Sequence, residues 1–339
     1  MTARHAVAFI VLLMLANWSA ADELLMKNGS RLIGKLVSAS ESEVIFDTPF
    51  AGQLKVQQAN IVSVVADHKV TLMMKDGTVY RDKQIVKRDQ RMLVMAARQQ
   101  PVVFDVADMA LINPEPWRIG DGYKWFGQVS SALAMERGNT DTDELDIDFE
   151  SIWRSLEDRY TLRGAWELDE ANGVENKDAS KLRGKYDRFR ARKPDDYIGF
   201  QLALEQDKFA DLNLRTTVGP YLGRQYFDTP LLAMHAELGL VFVEEDYNEA
   251  PNDDYWGSNW EVRLSTDIIP DTEFYVHADG IINFSHLERQ LVNTTIGIGL
   301  PIVYGLTAGA EIKYEYNGGA VQDVDKLDET YQLRFGYSW

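Results

Sequence analysis

The sequence contains no cysteine, and its histidine, serine and carboxylate side chains are the first candidates for chemistry. Thiolate catalysis, disulfides, Cys-based zinc sites and a lipid-modified N-terminal Cys are thereby excluded. Histidine occurs at His5, His68, His235, His277 and His286, with no pair at a recognised metal-ligand spacing. Ser285 precedes His286, but a hydrolase needs its nucleophile and base within hydrogen-bond reach. Adjacent residues on a strand point to opposite faces, which separates those two. Neither a phosphate-binding Gly-rich loop nor a nucleophile elbow is present. No catalytic residue, cofactor site or metal ligand is therefore assigned, and the expectation is a protein that is not an enzyme. The acids Glu244, Glu245, Asp246, Glu249, Asp253, Asp254, Asp323, Asp325 and Asp328 form a last cluster. They offer hard oxygens for divalent cations among lipopolysaccharide head groups, or simply a solvated surface, and they lack calcium-loop spacing.

The remaining charge has a regular setting. From Lys124 onward, long segments alternate strictly between apolar and polar residues. Leu145, Ile147, Phe149 and Trp153 oppose Asp146, Asp148 and Glu150; Tyr160, Leu162, Trp166 and Leu168 oppose Thr161, Arg163, Glu167 and Asp169. Leu238 and Leu240 oppose His235 and Glu237, and Ile312 and Tyr314 oppose Glu311 and Lys313. Strands of roughly 9–11 residues with period-two polarity are what the wall of a tilted membrane barrel requires. Lys124 to Trp339 holds about twelve such segments, an even number, which returns both ends to one side of the membrane.

Short connections at Ser155–Asp158, Lys193–Asp195, Asp228–Pro230, Pro270–Thr272 and Tyr304–Gly305 alternate with longer polar ones. The longer set is expected at Ala171–Lys177, Glu244–Tyr255 and Asn317–Asp328, giving tight inner turns and extended outer loops. The predicted lumen face carries Asp146, Asp148, Arg163, Glu167, Arg215, Glu237, Glu261, Arg263, Asp267, Glu311, Lys313 and Arg334. Mixed signs there favour internal pairing and a narrow or partly occluded lumen over a strongly selective channel. Twelve strands lie between small filled barrels and wide porins, so both remain physically open. Tyr331, Leu333, Phe335, Tyr337 and Trp339 alternate on the final strand, the pattern expected of an assembly signal read by barrel-insertion machinery.

The N-terminal third differs. Arg4, the apolar run Ala6–Leu15 and the small residues Ser19-Ala20-Ala21 read as a secretory signal over 1–21. Residues 22–113 hold two copies, 22–66 and 70–113, of one β-rich pattern. Asn28-Gly29 and Asp76-Gly77 are 48 positions apart, and each is a hairpin signal with positive φ expected at both central residues. The same offset carries Leu54-Lys55-Val56 onto Val102-Val103-Phe104, and Ile61–Val64 onto Met109–Ile112, the mark of duplication. Each copy has the size of a small five-strand SH3-like or Sm-like barrel, serving either as a docking module for a periplasmic partner or as a spacer. Pro114 and Pro116 mark a linker over 114–121 before the barrel at 122–339. A net charge of −18 argues against nucleic acid, whose phosphates demand a basic face.

The barrel region resembles the salt-induced outer-membrane protein family, barrels of unknown function. The likeness rests on Trp125-Phe126-Gly127, Glu136-Arg137-Gly138-Asn139-Thr140-Asp141-Thr142, Gly219-Pro220-Tyr221-Leu222-Gly223 and Lys326-Leu327-Asp328-Glu329-Thr330-Tyr331. It covers Gly122 to Trp339 and leaves the duplicated module outside. It implies an outer-membrane location, contact with outer-membrane lipid, and no catalytic residue to carry over. The expected fold is therefore all-β, an antiparallel transmembrane barrel of about twelve strands behind a duplicated small β domain. The expected role is structural or linked to envelope stress, with a narrow small-solute channel as an added possibility. A lipid-modifying enzyme of the outer membrane and a soluble periplasmic β-protein are the competing readings.

Overall fold

The structure, a computed structural model, describes residues 21–88, 91–95, 100–136, 142–190, 193–229, 231–269, 272–320 and 326–339. The signal segment over 1–20, residues 137–141 of the first-hairpin motif, and Asp323 and Asp325 lie outside the described residues. The chain divides into two units, residues 1–119 and 120–339.

In the first unit the strands are β1 (Asp22–Met26), β2 (Arg31–Ala39), β3 (Glu43–Thr48), β4 (Gly52–Gln57), β5 (Ile61–Met74), β6 (Val79–Arg88), β7 (Arg91–Val94), β8 (Val102–Phe104) and β9 (Met109–Ile112). Short 3₁₀ turns at Gln58–Asn60 and Val106–Asp108 precede β5 and β9, again 48 residues apart. The duplication extends to strand register: Leu24 pairs with Val64 in the first copy, and Leu72 pairs with Ile112 in the second. The copies are not two separate barrels with a break at residues 66–70, however. β5 runs unbroken through that boundary, closing the first copy and opening the second.

Each copy then lends its second strand to the other, Ala39 pairing with Ile112 and Ile85 with Ala66. Gln58 completes the join by donating to the carbonyls of Val106 and Met109, both at 3.3 Å. One shared core results, with Leu24, Phe46, Val64, Leu72, Val94 and Ile112 all buried. The hairpin turns also depart from expectation. Only Gly29 and Gly77 have positive φ, while Asn28 and Asp76 do not. Each glycine N–H donates to the carbonyl three residues back, the three-residue loop in which glycine takes the left-handed position. The side chains of Asn28 and Asp76 accept from the N–H of Ser30 and Thr78, and that bond holds the Asp76 carboxyl below its usual range.

The second unit is a closed barrel of twelve antiparallel strands in sequence order. They are β10 (Lys124–Glu136), β11 (Thr142–Arg154), β12 (Asp158–Ala171), β13 (Val174–Arg190), β14 (Lys193–Asp207), β15 (Leu212–Asp228), β16 (Leu232–Tyr247), β17 (Asp253–Ile269), β18 (Thr272–Asn283), β19 (Leu291–Val303), β20 (Leu306–Asn317) and β21 (Leu327–Ser338). The described connections over 155–157 and 304–305 are short, as the sequence predicts. Two of the connections expected to be long are shorter than predicted, because the strands run on. Asn172 and Gly173, both at positive φ, form a two-residue hairpin turn where a longer polar segment was expected. Glu244 and Glu245 pair with Asp254 and Asp253 inside the β16–β17 ladder. Charge at a strand end therefore marked wall, not loop.

The outward face carries the apolar half of every alternation. Leu222, Leu238, Tyr331, Leu333 and Phe335 are each more than 60 % exposed. A soluble monomer rarely leaves contiguous apolar surface on this scale open to water, whereas a barrel wall in lipid requires it. At the end bearing the short turns, Trp125 stacks with Trp153 at 6.3 Å and meets Trp339 at 5.5 Å. Tyr123, Tyr160 and Tyr186 continue this group. Amphipathic rings collected at one rim suit the boundary between lipid and water.

A consequence is measurable at Leu238, near the middle of β16. Leu238→Arg is expected to destabilise the folded protein in vesicles by about 2–4 kcal/mol, the cost of a charge on a lipid face. The same change on a water-exposed strand face stays within about 0.5 kcal/mol. Denaturant titration of the reconstituted protein separates the two.

Candidate functional site

Period-two alternation places the complementary half of each strand inside the ring, and the ring size decides what those side chains can reach. An interior of eight strands is filled by side chains, while sixteen leave an aqueous channel. With twelve strands, long Arg, Lys and Glu side chains are needed to meet across the middle. That is what they do here.

Glu261 on β17 is the centre. It accepts from Arg163 Nη1 of β12 at 3.0 Å, Lys185 Nζ of β13 at 3.1 Å and Arg263 Nε of its own strand at 2.9 Å. Arg183 Nη1 of β13 lies 3.5 Å from it. Glu150 on β11 accepts from Arg163 and, at 3.4 Å, from Arg263. β11 and β17 stand opposite each other in the ring, so the Arg263–Glu150 contact spans the lumen. Lys185 also binds Glu237 of β16, and Tyr197 of β14 donates to the same carboxylate at 2.8 Å.

A second layer lies toward the end of the barrel away from the turns at 155–157 and 304–305. Lys313 of β20 binds Asp146 of β11 and Glu167 of β12, both at 3.2 Å, and Lys181 of β13 reaches Glu315 of β20 at 2.6 Å. Arg334 of β21 binds Asp148 of β11, and Tyr275 of β18 donates to Glu311 at 2.5 Å. Arg215 joins Glu245 at 2.7 Å and Glu205 at 3.1 Å. Two layers of charge thus cross the space that an open pore would leave to water.

Of the residues predicted to face the lumen, Asp146, Asp148, Arg163, Glu167, Glu261, Arg263, Glu311, Lys313 and Arg334 enter these two layers, Glu237 joins the first, and Arg215 forms a cluster beside them. Asp267 does not, for it is exposed at the end of β17. Sequence reasoning missed Arg159, Lys181, Arg183, Lys185 and Asp187, although they carry much of the network. On β13, glycine at Gly184 and arginine at Arg188 interrupt the outward apolar series, which hides the alternation; Leu182 and Tyr186 were the available signal.

Two tyrosines were missed as well. Tyr197 and Tyr221 are buried inside the wall, each lying over a glycine of the neighbouring strand. A Cβ at Gly199 would sit 2.1 Å from the Tyr221 ring, and one at Gly223 would sit 2.2 Å from the Tyr197 ring. The reciprocal fit was written in the repeated Tyr-apolar-Gly spacing of Tyr197-Ile198-Gly199 and Tyr221-Leu222-Gly223. Tyr221 donates to Asp187, which Arg159 Nε also binds, at 2.6 Å.

The histidines are spread through this arrangement without a nucleophile at hand. His235 Nε2 is 3.8 Å from Glu261, His277 packs on Tyr275, and His286 meets Glu288, not Ser285. Asp22 of the first unit takes up His68. Among the described residues no group of three His, Asp or Glu side chains is arranged to hold a metal ion. Of the acid cluster, Glu245 turns inward to Arg215 and Asp253 meets Arg289.

Fold and interior together define a membrane-type β-barrel with a charge-paired lumen, joined to a duplicated β module. The chain belongs to the family described as protein of unknown function DUF481, whose profile matches residues 129–339. No curated protein matches it. Among solved structures, the translocator domain of the autotransporter NalP from Neisseria meningitidis is similar at 10 % identity and a TM-score of 0.37, over 64 % of this chain and 88 % of that one. The NanC porin is similar at 10 % identity and 0.40, over 64 % and 99 %. The outer membrane channel DcaP of Acinetobacter baumannii is similar at 12 % identity and 0.33, over 94 % of each chain. Scores of this size carry no argument of their own, and the barrel stands on its strand pairing.

Proposed function

We propose that the chain is an outer-membrane barrel with a structural role, which anchors its N-terminal module on the periplasmic side and does not conduct solute freely. The signal segment over 1–21 would direct export, and outer-membrane lipid would surround the wall. The barrel-insertion machinery would read Tyr331, Leu333, Phe335, Tyr337 and Trp339. No catalytic role is part of this reading. The observation that carries it is the four-cation grip on Glu261, whose partners come from both sides of the ring. A pore that passes solute leaves such charges to line a water column; here they bind one another instead.

A buried ion pair contributes little net stability against apolar packing, but it fixes geometry. A closed, internally cross-braced wall supports the structural or envelope-stress role more than free passage of solute. Planar-bilayer recordings of the full-length protein test the reading. The expected result is a baseline without discrete openings at either polarity. Regular conductance steps from the unmodified protein would overturn it.

A further inference from the structure

The two copies in the N-terminal module share a ladder but not its outer face. On β7 Met92 and Val94 are buried, so Arg91 and Leu93 point away from the core. Register sets Val86 of β6 and Val103 of β8 on either side of Leu93, and Arg88 directly opposite Arg91. The first copy repeats this ladder, with Ser38, Ile45 and Lys55 in one row and Ser40 meeting Glu43 at the strand ends. At positions 48 apart, Ser38 corresponds to Val86, Lys55 to Val103, Asp47 to Met95, Ser40 to Arg88 and Glu43 to Arg91. One copy has a polar face that ends in an acid. The other has an apolar row that ends in two arginines.

The arginine pair does not serve the fold, because like charges directly opposite across an antiparallel ladder destabilise it. Among the described residues neither Arg88 nor Arg91 has an ionic partner. Asp105, the first acid after β8, gives its N–H to Asp108 at 3.0 Å and forms no ion pair with Arg91. Beside the arginines, Val103 is 50 % exposed and Met95 37 %. Apolar side chains flanked by unpaired guanidinium groups are complementary to phosphates lying above hydrocarbon. Strand addition by a peptide is disfavoured here, since β8, which ends the sheet, is three residues long and preceded by Pro101. Only residues 113–123 separate β9 from the first strand of the barrel, a tether that keeps the local concentration of lipid high.

We propose that the outer face of β6, β7 and β8 docks on the anionic phospholipid leaflet that surrounds the barrel. Arg88 and Arg91 bind head-group phosphates, and Leu93, Met95 and Val103 rest at the acyl boundary. This rests on the reading of the barrel as an outer-membrane anchor, and it gives the second copy a task that the first copy lacks.

The chain has no cysteine, so Val103→Cys and Lys55→Cys each carry a single fluorophore on the full-length protein. In vesicles of phosphatidylglycerol and phosphatidylcholine with bromine near the top of the acyl chains, the label at position 103 is expected to be quenched and the label at position 55 is not. Arg88→Ser with Arg91→Glu, the residues with which the first copy folds, should lower the docked-to-free ratio by roughly thirtyfold. Phosphatidylcholine alone, or about 0.5 M salt, should release the face without any change to the arginines. Quenching at position 103 no stronger than at position 55, while a label replacing Leu238 stays quenched, overturns the docking and leaves the barrel standing. Equal quenching in phosphatidylcholine alone overturns it too. Shielding from aqueous iodide without lipid quenching also overturns it, and assigns the face to a second copy or another protein. Loss of quenching at the Leu238 label removes the barrel reading and this proposal together.

Discussion

Glu261→Ala is expected to destabilise the folded barrel by about 3–5 kcal/mol, the cost of leaving buried charges without their counter-ion. Arg163, Arg183, Lys185 and Arg263 all approach this one carboxylate, and Lys185 is itself almost fully buried. Glu150, Glu237 and Asp279 would inherit the four cations, leaving a positive excess in the middle of the ring. Urea titration of protein folded in phosphatidylcholine vesicles measures the loss. The same variant is expected to show transient conductance in planar bilayers where the parent shows none, because the central brace is gone. Glu261→Gln keeps the shape and some hydrogen bonds, and should fall between the two. A stability change below about 1 kcal/mol would place Glu261 in the class of solvated surface pairs, which contribute that little.

Deletion of Trp339 is expected to reduce the yield of folded barrel by roughly tenfold or more, the effect of a loss above about 1.4 kcal/mol in a barely closed seam. This residue closes the ring in two ways. Its backbone N–H donates to the Gly127 carbonyl at 3.0 Å and its carbonyl accepts from Gly127 at 3.2 Å. Its ring packs against Trp125 and Tyr337 at the lipid boundary. Every other neighbouring pair of barrel strands shares a longer ladder than β10 and β21, so the seam has least to spare. Trp339→Phe retains the backbone bonds and an aromatic end, and should recover most of the yield. The heat-dependent gel shift of membrane fractions reads both variants. Full yield from the deletion would mean that neither closure nor assembly depends on the chain end.

The fold was legible because the alternation is physical, not statistical. Each run such as Leu238-Gly239-Leu240 inside its polar neighbours can satisfy both lipid and an enclosed interior in only one strand orientation. The 48-residue offset was equally plain and proved to hold in register as well as in sequence. What did not show was pairing between distant strands. Nothing local in Glu261 distinguishes it from Asp267 three repeats of the pleat away, yet one is gripped by four cations and the other is exposed. That difference arises from ring closure, which brings β12 and β13 to face β17. Strand ends misled for a related reason. Polar residues near Glu244 and Asn172 were read as loop, but a wall longer than the bilayer is thick carries its ladder into the head-group region, where polar side chains belong.

The account rests most directly on which way the side chains of β16 point. Single cysteines at each position from Glu237 to Phe242, labelled with a fluorophore and reconstituted with lipids bearing a bromine quencher on their chains, report this residue by residue. Strong quenching at Leu238, Leu240 and Phe242, alternating with weak quenching at Glu237, Gly239 and Val241, is the predicted result. Uniformly weak quenching across all six, with labels at Leu238 and Leu240 reached by aqueous iodide, would contradict a wall that faces lipid.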